Sequence, residues 1–135
     1  MPPSADSSLG GVPDGQDLAV AAEALFLVNL MLAPGLAFLG IAWLWWRRRP
    51  GAPPLARCHI DQTFRASLWA GALLVIANAA VIALGGFQSA WTWVVVIIWF
   101  TCIHSSLILL GVVGLVKAMA GKPYAYPLIG GRCDA

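Results

Sequence analysis

Polar side chains set inside long apolar runs are where this chain has the means to do chemistry. Asn29, Asn78, Thr101, His104 and Ser105 all lie in stretches that carry no Asp, Glu, Lys or Arg. A polar group in such a place marks a ligand path, a proton relay or a contact between helices. On a helix, Thr101, His104 and Ser105 share one face by the i, i+3, i+4 rule. Gly71, Asn78 and Gly85 repeat at seven-residue spacing with Ser67 on the same stripe, and Asn29, Ala33 and Gly40 make a similar small-residue face. Small residues let helices approach closely, and a polar side chain then bonds across the gap for about 0.6–2 kcal/mol. The five residues are expected to form one polar layer, with Asn29, Asn78 and Thr101 at roughly 11–15 Å depth, whose simplest role is to join helices.

His104 is the sharpest single candidate. An imidazole near mid-membrane can ligate haem or a metal, relay protons, or hydrogen-bond Asn78. Met31 reaches a similar depth and would complete a His/Met haem site, but on a straight helix it points to a different side from Asn29. Ser105 and Ser106 adjoin His104 in sequence, and helix neighbours do not face each other. The nearest acidic group, Glu23, is placed at the outer membrane edge, so nothing orients the imidazole for nucleophilic catalysis. Cys58 and His59 begin a metal site that no further ligand at useful spacing completes. Cys133-Asp134-Ala135 is one residue short of a prenylation box. The expectation is a non-enzyme with no cofactor and no metal.

The elements that hold these residues follow from composition. The chain has 135 residues, 60% hydrophobic and 10% charged, against roughly 25% charged in a soluble domain. About 20 apolar residues cross a bilayer as a helix. The apolar runs predict an all-α membrane protein with three transmembrane helices over about 18–46, 64–84 and 91–116. Arg47 to Pro54 and Gly85 to Ser89 break the runs. Residues 1–17, rich in Pro, Gly and Ser with no Lys or Arg, read as a disordered tail and lack the basic start of a secretory signal. Residues 121–135 read as a cytoplasmic tail.

Orientation follows from the basic residues. Arg47, Arg48, Arg49, Arg57 and Arg65 cluster around the first loop, and Lys117, Lys122 and Arg132 follow the last helix. The positive-inside rule puts both groups in the cytoplasm and the N-terminus outside, in a bacterial inner membrane. Cys58 and Cys133 would then stay reduced. Arg47, Arg48 and Arg49 offer an anchor for anionic lipid or an acidic partner. The net charge of +2 reflects these clusters and gives no reason to expect nucleic-acid binding.

Ala33-Pro34, the Arg47–Arg49 run, His59-Ile60-Asp61-Gln62 and Gly121-Lys122-Pro123-Tyr124-Ala125-Tyr126-Pro127 together resemble a bacterial family of small three-span membrane proteins of unknown function. That family is distantly related to a chloroplast inner-envelope protein-import subunit. The resemblance singles out His59, Gln62, Gly121, Tyr124, Tyr126 and Pro127 and implies a fold rather than an activity. His59 and Gln62 are expected to cap the second helix or bond the Tyr-Pro tail.

With hardly any extramembrane mass, packing within the membrane is the main use left. The expected role is a non-catalytic accessory subunit of a larger inner-membrane complex, with lipids as its other partners. The alternatives are a component of a protein- or solute-translocation pore and a redox subunit using His104.

Overall fold

Pro53 and Pro54 start the longest element. The computed structural model describes residues 11–133. In it Pro54 occupies the first turn of a 30-residue helix, Pro54–Ala83, where its fixed φ and missing N–H cost nothing. The helix stops where Gly85 and Gly86 adopt φ of 92° and 73°, a left-handed conformation open to glycine. After a short turn the chain descends through Ala90–Ile98, a π-helical stretch Trp99–His104, and Ser105–Met119. These form a continuous 30-residue helix, Ala90–Met119. Gly121, at φ 65°, ends it: Gly121 N–H donates to the Ala118 carbonyl and Lys122 N–H to that of Lys117, each at 2.9 Å, the bond pair of a Schellman cap.

Each long helix is about 45 Å in length and apolar enough to cross a membrane, and only 11% of its most apolar window is buried inside the chain. The first predicted span has a different form. Instead of one helix over 18–46 the structure has α1 (Gln16–Met31) and α2 (Leu36–Trp43), with α3 (Pro54–Ala83), α4 (Ala90–Ile98) and α5 (Ser105–Met119) following. Pro34 cannot continue the hydrogen-bond ladder, and Gly35 takes φ 89°. The Asn29 Oδ1 accepts the Gly35 N–H at 3.0 Å and staples the turn.

The chain then folds back on itself. Gly40 sits against the Leu25 side chain, Ile41 shares one buried cluster with Phe26, and Leu44 shares another with Ala22. On a straight helix Leu25 and Gly40 would be about 22 Å apart, and Ala22 and Leu44 about 33 Å. α1 and α2 are therefore an antiparallel hairpin. α1 runs beside α3, from Ala22 against Ala56 to Phe26 against Ala66. Its tip reaches the level of Gly71 and Leu107, about halfway along the long helices.

The hairpin's two ends share one end of the molecule, here called basal. Gly15 lies against Pro53 and Ala56 at the start of α3, and Gln16 Nε2 donates to the Met119 carbonyl at the end of α5, at 2.5 Å. α2 continues through the π-helical stretch Leu44–Arg48 and the turn Arg49–Gly51 into Pro54. Among the described residues two helices, not the three expected, are long and apolar enough to cross a membrane. The start of α1 and the end of α5 lie together at this end. Of the segment read as a disordered tail, Gln16 and Asp17 open α1, while residues 1–10 lie outside the described ones.

Candidate functional site: a sealed polar cluster

Glu23 lies on the basal half of α1, and the hairpin carries it away from the outer edge where a straight helix would put it. It is fully buried against His59 and Gln62 of α3. The two latter residues are one helical turn apart, on the face α3 turns to α1. His59 Nδ1 is 2.6 Å from Glu23 Oε1, and Gln62 Nε2 donates to the same oxygen at 2.5 Å. Tyr126, reached only because the tail folds back, donates its hydroxyl to Glu23 Oε2. Gly114 of α5 leaves the room: any Cβ there would collide with the Glu23 carboxylate.

The same residues hold the tail. His59 Nε2 is 3.0 Å from the Lys122 carbonyl, and Gln62 Oε1 accepts the Tyr126 N–H at 3.2 Å. Nε2 thus faces a carbonyl acceptor, while Nδ1 faces both Glu23 Oε1 and, at 3.1 Å, Gln62 Nε2. Burial, reinforced by the Glu23 charge and hydrogen bond, pushes the Tyr126 hydroxyl well above the ordinary tyrosine range. Thr63 returns its hydroxyl to the His59 carbonyl at 2.9 Å. Every polar group of Glu23, His59 and Gln62 that points inward has a partner, which is the condition for a buried network to specify one packing.

Two further ties close this end. Cys58 and Cys133 form a disulfide, with Cα atoms 5.2 Å apart across 75 residues. This corrects the expectation of free thiols, since nothing in their spacing brought them together. Arg49 Nε contacts Asp61 Oδ1 at 2.5 Å, Trp45 Nε1 donates to the same oxygen at 3.0 Å, and the Arg49 guanidinium lies 5.6 Å from the Trp45 ring centre. The Asp61 hydrogen bond and charge raise the Arg49 pKa. The pair is partly exposed, so its worth is about 0–1 kcal/mol. Arg47 and Arg48 are exposed.

The intramembrane residues are not brought into one layer. Asn29 serves the hairpin turn. Asn78 is exposed above the tip and donates to the Leu74 carbonyl of its own helix at 2.8 Å. Ser105 donates to the Phe100 carbonyl at 2.8 Å, and Thr101 is exposed. The hairpin stops below Asn78, which removes the neighbour a full third helix would have supplied. Asn29 and His104 do border one cavity of about 1090 Å³, together with Ser67 and with Met31, which straight-helix geometry had turned away from this face. Gly121 ends α5 as described. The Tyr124 ring meets that of Tyr126 at 5.8 Å, and Pro127 supplies the carbonyl of a turn to Ile129.

Among the residues that sequence reasoning passed over, Glu23 is central. Its signal was its type: it is the one charged residue between Asp17 and Arg47, and an acid in such a run is costly unless paired. A family model matches residues 14–132, nearly the whole chain: MamF/MmsF, the magnetosome magnetite crystal formation protein family. No curated protein and no solved structure matches.

Proposed function

We propose that this chain, which belongs to the magnetosome magnetite crystal formation protein family, is a non-catalytic accessory subunit of a larger assembly in a bacterial membrane where such crystals form. The observation that carries this reading is the contrast between the molecule's two halves. The basal half is sealed by a fully partnered polar cluster, which suits a scaffold and offers no reacting surface. In the most apolar stretch of each long helix only 11% of the residues are buried within the chain, which leaves that stretch to other molecules.

The basic residues argue for a basal end on the cytoplasmic side, whereas the Cys58–Cys133 disulfide at that end is of a kind that persists outside it; in either orientation α3 and α4–α5 cross while α1–α2 enters and returns. Arg47 and Arg48 then face anionic headgroups or an acidic partner. The test is gentle extraction of the tagged chain from its native membrane, followed by sizing in native gels. A large assembly containing it as a minor component is expected. A monodisperse monomer with an activity of its own would sink the proposal.

A further inference from the structure

Arg65 is the last charged residue of α3. From Ala66 to Ala83 the helix carries no Asp, Glu, Lys or Arg, a run of about 27 Å that nearly matches a hydrocarbon core of about 30 Å. Arg65 therefore stands at the basal boundary of the membrane, and it is exposed. The C-terminal segment crosses the same face of α3. Cys58 and Arg65, two turns apart on that face, both meet it. Cys133 is bonded to Cys58, and Gly131 lies so close to the Arg65 guanidinium that an added Cβ would stand 3.0 Å from Nη1. Arg132 sits between these two anchor points and is held beside Arg65, with its own side chain exposed. Neither arginine has an ion-pair or hydrogen-bond partner among the described residues. The acids at this end are taken: Asp61 by Arg49 and Trp45, Glu23 by the sealed cluster.

We propose that Arg65 and Arg132 form a site for the phosphate of an anionic phospholipid headgroup. Two like charges held side by side repel, and a phosphate between them replaces that repulsion with charge-assisted hydrogen bonds. The planar fork of a guanidinium suits phosphate oxygens two at a time. Membrane lipid is the source because Arg65 stands where the apolar run begins. Leu68 and Trp69, one turn further along α3, are exposed at the level where the acyl chains of such a lipid start, and tryptophan is favoured at that level. Arg47 and Arg48 are also exposed cations, but no second segment of chain is pinned beside them, so they attract headgroups only diffusely. The assignment holds whichever side the basal end faces and does not depend on the accessory-subunit reading.

The test is native mass spectrometry of the full chain released from detergent micelles titrated with dioleoylphosphatidylglycerol, counting the lipids retained. The site does rest on α3 crossing the membrane; a chain that fractionates without detergent would fail that reading first, before any lipid is counted. One phosphatidylglycerol retained per chain is expected. Arg65→Gln and Arg132→Gln should each weaken retention about tenfold, the worth of a hydrogen bond to a charged group. Arg132→Gln removes no contact within the described fold, so its effect reads binding rather than unfolding. Reducing the Cys58–Cys133 bond should weaken retention as much as Arg132→Gln does, and should add nothing in that variant. Replacing Arg47 and Arg48 together by Gln should change retention little. An equal loss from that pair would mean diffuse surface attraction and overturn the proposal. So would equal retention of phosphatidylcholine, or displacement of the lipid by inorganic phosphate.

Discussion

Glu23 and His59, 36 positions apart, meet with 2.6 Å between Oε1 and Nδ1 and no exposure of either side chain. The contact exists only because α1 starts at the end of the molecule where α3 starts. It ties the first helix, the long helix and the C-terminal segment into one unit, since His59 also meets the Lys122 carbonyl. The first prediction comes from removing one member. His59→Leu leaves Glu23 buried with a donor missing, and breaking such a pair costs about 3–5 kcal/mol. Thermal unfolding in detergent should show that loss; a change below about 1 kcal/mol would mean that the contact carries little weight.

Gly114 gives an independent probe of the same cluster. Gly114→Ala forces its methyl group into the Glu23 carboxylate, and overpacking of this kind costs about 1–3 kcal/mol. Gly71→Ala, where a Cβ meets nothing within 4 Å, should instead be neutral or stabilising by up to about 1 kcal/mol. Equal effects from the two would count against the cluster's geometry.

Alkaline pH should release the tail. The Tyr126 proton is held more tightly in the folded state than in the unfolded one, through burial first and then the Glu23 charge. A raised folded-state pKa contributes stability that is complete below the unfolded value near 10 and falls as pH rises above it. Limited proteolysis after Gly121 should therefore accelerate above about pH 10. Tyr126→Phe should be less stable at neutral pH, by about 1.5–3 kcal/mol for a hydrogen bond to a charged group, and should show no such alkaline step. A step of unchanged size in that variant would assign it to another group.

The hairpin is tested by sidedness. Single cysteines replacing Gln16 and Lys122, in a chain otherwise free of cysteine, should react with a membrane-impermeant maleimide from the same side of sealed vesicles. Labelling from opposite sides would restore a continuous first span.

Thiol counting tests the cross-link. Before reduction one thiol, Cys102, should be alkylated in the denatured protein, and afterwards all three. Its removal should cost about 2–4 kcal/mol. Three reactive thiols in unreduced protein would remove the staple from the account of the tail.

Hydropathy made the long helices legible, because an uncharged run of this length has few other uses. It placed the start of α3 ten residues late, at Phe64 instead of Pro54. The residues from Cys58 to Gln62 are mixed in polarity because they face Glu23 and the tail rather than lipid. The reversal at Pro34-Gly35 was hidden for a related reason: both arms are apolar, so the average across 18–46 hardly changes at the turn. Pro34 alone would loosen a helix, and with Gly35 beside it at φ 89° it ends one. Glu23 was misplaced by the same error. Once α1 is known to start at the basal end, its partners His59, Gln62 and Tyr126 follow from packing.

The half-depth hairpin also sets the molecule's cross-section. At the basal level a slice cuts α1, α2, α3 and α5; beyond the tip it cuts only α3 and the upper part of the helix Ala90–Met119. With helices about 10 Å in diameter and the hairpin inserted as proposed, the chain would displace about twice as much area in one leaflet as in the other. A flat bilayer must strain to accept that taper, and a bilayer bowed outward on the basal side accepts it readily. Many copies gathered in one patch would add their tapers and favour a rounded membrane.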